Sequence, residues 1–436
     1  MSSEDRRGCT ECERAEKQTQ LTRRGLLKGL LGAGAAMVAL PALETVSARA
    51  AFGATPYTGD TLIVISLRGG FDGLSAVVPA FDPNYYKLRP SIGIPSDKLL
   101  QLDNNFGMHP SLDSLQTLWS NKNLAFVHAA GMSYPDRSHF SAMAEMENAT
   151  IGSSIRTGWL DRMLSLGDSG GAFGAVQIGG TDVPYSLAGG EPVLALYSLN
   201  DFSLDGTDNN NRAKWSTALR SLHAGAPTAL SAPAGTTLSA LDTVATMTAK
   251  PYVPSNGAQY PNSDLGKALR GVAQLLKANV GTQVVTLDVD NWDMHSGLSY
   301  SNNPLGGWMA DQLSDLGDSF AAFAKDLGSG FDNVTMVTMS EFGRRAYENG
   351  SNGVDHGWGN AMFVMGGGVN GGKVYGNWPG LDKAHLDQGD LAVTTDYRLV
   401  LADILQNRCG ATHDQITKTV FPDFKGTTLG LTAARA

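Results

Sequence analysis

Three runs rich in apolar and β-branched residues each adjoin a cluster of acids and histidines: QVVTLDVDNWDMHSG, NVTMVTMSEFGRR and, a short loop later, GVDHGWGNAMFVMGGG. Runs of this kind read as strands buried on both faces. In an open, mostly parallel sheet the carboxyl ends of neighbouring strands border one crevice, so side chains distant in sequence converge there. The clusters supply Asp293, His295, Glu341, Asp355 and His356. Carboxylates with neutral imidazoles suit a divalent metal, a general acid and base, or a structural polar network.

Further strand-like and helical stretches alternate around these runs. Residues 61–67, TLIVISL, form a continuous apolar run that ends in the glycine turn RGGFDG, which carries Asp72. This run reads as the first, central strand. The helical spacing of HPSLDSLQTLWSN, the strand NLAFVHAAG and a helix opening at Ser138-His139-Phe140 follow. After Ser263, a good N-cap, come a helix, a strand over 282–288, a long helix over about 307–327, strands over 333–339 and 361–366, and the helix DYRLVLADILQNRCG. Such alternation predicts an α/β fold with a doubly wound, largely parallel sheet. Between about 167 and 262 it lapses into short strand-like pieces (AVQIGG, PVLALYSL) among Gly, Ser, Thr, Ala and Asn, which reads as a loop-rich cap insertion.

The first 50 residues carry a different message. A charged start, a weakly apolar stretch from Gly25 to Leu40 and the small-residue site Ala48-Arg49-Ala50 before Ala51 form an export signal. Its Thr22-Arg23-Arg24-Gly25-Leu26-Leu27 segment is similar to a twin-arginine signal. The expected partner during export is therefore the twin-arginine translocase, and the mature chain, 51–436, is expected in the periplasm or outside the cell without a stable membrane anchor. Removing the signal leaves 25 basic and 36 acidic residues, a net charge of −11, which argues against a nucleic-acid partner. Cys9 and Cys12 leave with the signal, so Cys409 has no partner for an internal disulfide.

Each candidate residue carries a chemical and a structural alternative. Asp293 and His295 stand two apart, so an extended backbone puts them on one face, with Trp292 and Met294 directed into packing. They could hold one ion, or form a solvated turn. Glu341 with Arg344 and Arg345 reads as an ion pair or an anion site. Ser138 is either a helix N-cap or a nucleophile beside exposed helix-start amides, and His139 is a base, a ligand or a packed residue. His109, His128, His223, His385 and His413 lack an acidic partner in a motif and read as structural.

The combination of RGGFDGLSAVVP, RSHF, NWDMHSG, SEFGRR, DHGWGNAMFVMGGGV and DYRLVLADIL resembles the twin-arginine-exported bacterial family called domain of unknown function 1501, over about residues 61–408. That family is regarded as a divergent branch of the alkaline phosphatase and sulfatase superfamily. The resemblance implies an alkaline phosphatase-like sheet and an exported, metal-dependent hydrolase of small phosphate or sulfate esters. Carried over by position, Asp72 resembles the superfamily's first acid and Ser138 its nucleophile. Asp293 with His295 resembles the next pair, Glu341 the acid of an Asp-His pair, and His356 the final histidine, preceded by Asp355. Phe342 stands where a second metal's histidine would be, so a single divalent ion is implied: zinc, calcium, magnesium or manganese. Arg137 and Arg344 are then expected at the nonbridging oxygens, with His139 or His295 moving protons. The rival expectation is a non-catalytic binding or assembly protein on the same scaffold, with an unknown protein partner.

Overall fold

A computed structural model describes residues 59–435, apart from 134–135, 168–170, 205–210, residue 302 and the side chain of Ala229. The expected export signal, with its twin arginines and its cleavage position, lies outside the described residues. Nine strands form the main sheet: β1 (Thr61–Leu67), β2 (Leu124–Gly131), β3 (Ala175–Ile178), β4 (Leu194–Leu196), β5 (Val284–Val289), β6 (Val334–Met339), β7 (Asn360–Gly366), β8 (Val374–Tyr375) and β9 (Thr395–Asp396). Their spatial order is β8-β2-β7-β6-β1-β5-β3-β4, with β9 also paired to β2. The helices that matter here are α1 (His139–Asn148), α2 (Trp159–Leu164), α3 (Arg212–His223), α4 (Thr228–Met247), α5 (Asp264–Lys277), α6 (Trp308–Leu327) and α7 (Tyr397–Asn407).

β1 is buried at every position and runs parallel to both neighbours, β5 and β6. Its side chains alternate between two cores, as a strand covered on both faces requires. Ile63, Ile65 and Leu67 join Leu269 and Val272 of α5 and Leu313, Phe320 and Phe323 of α6. Leu62 and Val64 face the other way, toward Met146 of α1, Trp159 of α2 and Leu401 and Leu405 of α7. The sheet is thus doubly wound and largely parallel. Each apolar side chain moved from water into these cores contributes about 1.5–3 kcal/mol.

β7 is the exception in direction, antiparallel to both β2 and β6. The acid-histidine cluster of this run precedes its strand, whereas the other two follow theirs. Reversing the strand brings Asp355 and His356 to the same rim as the ends of β1, β2, β5 and β6. The stretch expected as a cap divides in two. Its first part supplies β3 and β4, which extend the sheet in parallel beyond β5. Its second part forms the packed helices α3 and α4. Among the described residues no helix is long and apolar enough to cross a membrane.

Candidate metal centre

The rim is first shaped by a glycine turn. Gly69 and Gly70 have φ of 113° and 70°, a region that side chains with a Cβ rarely adopt. A Cβ on Gly69 would lie 2.6 Å from the Asp293 nitrogen, and one on Gly70 would meet the Phe342 ring. The missing side chains let the end of β1 close onto the 292–293 backbone. Arg344, 1% exposed, then binds the pieces together. Its Nε donates to the Gly70 carbonyl at 2.6 Å, and its terminal nitrogens donate to the carbonyls of Gly69, Trp292 and Val354 and to Asp293 Oδ1 at 2.6 Å.

Asp293 sits at the centre. Trp292 and Met294 are 1% exposed, so the alternation of the extended backbone turns Asp293 and His295 outward into the crevice. Three imidazoles approach the Asp293 carboxylate. His295 Nε2 lies 3.1 Å from Oδ1, His356 Nε2 lies 3.3 Å from Oδ1, and His139 Nε2 lies 3.6 Å from Oδ2. The Nε2 atoms of His295 and His356 are 3.0 Å apart. One ligand atom each from His139, Asp293 and His356 lies within 4.8 Å of the others.

What stands behind each ring fixes which nitrogen faces the centre. His139 Nδ1 donates to Glu341 Oε1 at 2.7 Å, and His295 Nδ1 donates to Asp355 Oδ1 at 2.7 Å. His356 Nδ1 lies 2.9 Å from the main-chain carbonyl of Arg137, closer than the 3.3 Å between its Nε2 and Asp293 Oδ1, so in the neutral ring the nearer acceptor favours the proton on Nδ1. All three rings therefore turn Nε2 toward Asp293. Carboxylate or carbonyl acceptors behind ligand imidazoles are the usual outer sphere of a metal site.

The electrostatics match this arrangement. Burial alone would lower the His139 pKa, but the Asp293 and Glu341 carboxylates outweigh it and push it up to about 9. The hydrogen bond to Asp293, helped by Asp355, raises His295. Burial works against ionisation of Asp293, yet the three histidines and Arg344 hold its carboxyl far below the usual range. Glu341 and Asp355 are likewise held low by their histidines against the effect of burial. Three carboxylates and one guanidinium leave two negative charges. Two imidazolium protons or one divalent cation would balance them.

A divalent metal fits these residues on an independent observation: His139 Nε2 is buried and has no hydrogen-bond partner. Buried polar atoms of this kind are uncommon and call for a missing partner. His139, Asp293 and His356 supply three borderline-to-hard donors of the kind a divalent ion accepts. Phe342, 1% exposed, walls the site with its ring 5.0 Å from His139 and 4.8 Å from His356, and offers no ligand atom.

Several residues occupy other places than the sequence suggests. Asp72 is not at the cluster: Arg89, fully buried, grips both of its oxygens at 2.6 and 2.9 Å. Glu341 and Asp355, expected as ligands, stand behind His139 and His295. Arg344 is spent on four carbonyls and Asp293. Arg137, expected at substrate oxygens, is engaged through its guanidinium by buried Asp390 and lies 3.9 Å over the Trp358 ring. Ser138 occupies the N-cap of α1 but makes no side-chain cap bond; its amide donates to Asp136. Arg89, Asn349 and Asp390 had no motif to flag them, and Trp358 stood inside the DHGWGN run with no role assigned to it. Asn349 donates to Asp355 Oδ1 and to the His295 carbonyl, bracing that pair.

Residues 60–419 match the family described as "Protein of unknown function (DUF1501)". The chain belongs to this family. No curated protein matches the sequence. Among solved structures, the DUF1501 chain is distantly similar to the C-terminal periplasmic domain of EptC from Escherichia coli, with 11% identity, 86% of this chain and 90% of that chain covered, and a TM-score of 0.36. A complex of that domain with zinc gives 10% identity over 72% and 74% of the chains at a TM-score of 0.33. The sulfatase PsFucS1 from Pseudoalteromonas sp. gives 10% identity over 86% and 74% at 0.37. At these scores the likenesses transfer no role to the DUF1501 chain, whose candidate site stands on its own geometry.

Proposed function

We propose that this protein is an exported hydrolase of phosphate or sulfate esters that works with one divalent metal, best zinc, held by His139, Asp293 and His356. The observation that carries the reading is the convergence of outer-sphere-fixed imidazole Nε2 atoms on Asp293, one residue in sequence from Ser138 through His139. Imidazole-rich donor sets favour zinc over calcium and magnesium, which prefer oxygen. When bound, the ion would lower the pKa of the attacking hydroxyl or water and offset charge on the transferred group. The chain's own groups would do the rest. Glu341 and the Arg137 carbonyl keep the ligand rings in the required tautomer. His295, 45% exposed in its side chain and backed by Asp355, would take and return a proton. Ser138, at the start of the ten-residue α1, would present its hydroxyl beside the positive end of the helix, where developing anionic charge is favoured.

One observation favours a second reading, a non-catalytic metal clip: both arginines expected at the nonbridging oxygens are committed elsewhere. The two separate in one experiment on protein purified without added metal. The hydrolase reading expects stoichiometric zinc by elemental analysis, turnover of aryl phosphate or aryl sulfate, and a loss of about 100-fold or more in kcat for Ser138→Ala at unchanged Tm. A metal-loaded protein inactive on every such ester, with a Tm that falls on chelation, would leave only the clip.

A further inference from the structure

The three histidines of the rim are oriented by three acceptors, and one of them is unlike the others. Glu341 and Asp355 are side-chain carboxylates, whereas His356 relies on the main-chain oxygen of Arg137, a residue on the turn that leads into α1. Arg137 has φ of 58°, a left-handed conformation that a non-glycine residue holds only when its surroundings enforce it.

The surroundings that enforce it are visible. The guanidinium lies flat over Trp358, 3.9 Å from the ring centroid, and its terminal nitrogen donates to Asp390. Asp390 is fully buried and also accepts from Arg345 Nη1 at 3.3 Å. Trp358 is two residues beyond His356, on a segment pinned to 343–345 by the bonds Gly343 N to Trp358 O, Gly357 N to Gly343 O and Arg345 N to Asp355 O, 2.8, 2.9 and 2.9 Å. Trp358 thus lies on the ribbon that carries His356, and Asp390 is tied to the same ribbon through Arg345. A flat guanidinium stacked on an indole and paired with a carboxylate fixes a side chain far better than a lysine would.

We propose that Asp390, Arg137 and Trp358 form a latch that sets the His356 tautomer: the clamped side chain holds the turn so that the Arg137 carbonyl keeps the proton on Nδ1 and leaves Nε2 free to face Asp293. Arg137 is thus a positioning residue. The same turn leads directly into Ser138 and His139, so one latch sets two of the three metal ligands and the N-cap hydroxyl. The part concerning ligand affinity rests on the proposed metal site; the part concerning the tautomer does not.

The test uses the full mature protein labelled with 15N-histidine, metal-free, with the imidazoles neutral, and zinc alone as the probe of affinity. In the wild type the His356 signal, assigned with His356→Gln, should report a single Nδ1–H tautomer. Arg137→Gly keeps the carbonyl and accepts positive φ without strain, but it removes the latch. It should give mixed His356 tautomers and a zinc affinity at least tenfold weaker, the loss typical of an outer-sphere partner. Trp358→Leu, which leaves buried Asp390 its arginine partners, should shift both readouts in the same direction, and Arg137→Lys should recover neither fully. A folded Arg137→Gly protein with the wild-type tautomer overturns the latch. If Arg137→Gly fails to fold, Trp358→Leu decides by the same criterion. Should the wild type bind no zinc while the variants still mix tautomers, the metal reading fails and the latch stands.

Discussion

Arg344 concentrates more structure than any other single side chain at the rim. A buried guanidinium that saturates four carbonyls and a carboxylate has nowhere to rehydrate, and each acceptor depends on it. Replacing it with Met leaves those oxygens and Asp293 without their donor. Arg344→Met should therefore cost about 3–5 kcal/mol in urea unfolding, the range for breaking a buried charged pair. Arg344→Lys should recover little, because one ammonium cannot span the fork. A loss under about 1 kcal/mol for Arg344→Met would show that the rim is assembled by something else. At this scale the sequence made the residue types visible and left their duties undetermined. Glu341, Asp355 and His139 were all legible as candidates, yet whether a carboxylate binds a metal or the back of an imidazole depends on atoms contributed from 60 and 202 residues away.

Elements explain the two buried histidines that stand apart from the site. His128, within β2, places Nε2 2.8 Å from the Val77 carbonyl and accepts from the Ala129 amide through Nδ1. His109 accepts from the Ser111 amide at the start of a short helical turn. Burial pushes both down to about 4 from an ordinary 6.5. With the folded pKa below the unfolded one, the unfolded chain takes up protons first. Stability is therefore fully present above about pH 6.5 and is lost as the pH falls toward 4, by about 3 kcal/mol for each group. His128→Gln should flatten the fall in urea-unfolding free energy between pH 7 and 5 relative to wild type. An unchanged slope would remove His128 from the account. Strand and helix positions were largely readable from periodicity: Ser263 does cap α5, accepting from Gly266, and Trp308–Leu327 is the long helix. The direction of β7 was not readable, because alternation of side chains is the same whichever way a strand runs.

The whole molecule couples these parts through its folding equilibrium. A metal that binds only where β1, β5, β6, β7 and α1 meet binds the folded state and not the open chain. Zinc at 100 times its Kd should then raise unfolding free energy by about 2.7 kcal/mol, and a chelator should reverse the gain. Asp293→Asn should abolish the zinc-dependent increment in Tm while leaving the fold intact. An equal zinc increment in that variant would place the ion elsewhere.

The sequence alone determined the layered α/β plan and the rim as the place where acids and imidazoles gather. Hydrophobic runs and helical spacing are local properties that survive without coordinates. Only the tertiary structure decided that β7 runs backwards and that the first part of the expected cap extends the sheet. It also assigned the polar roles, taking Asp72 to Arg89, Arg137 to Asp390 and Trp358, and two of the expected ligand carboxylates to positions behind their histidines. The reason is physical: a hydrogen bond or a metal bond depends on direction to within a few tenths of an ångström, and direction at this rim is set by strands and loops that meet only after the chain has folded.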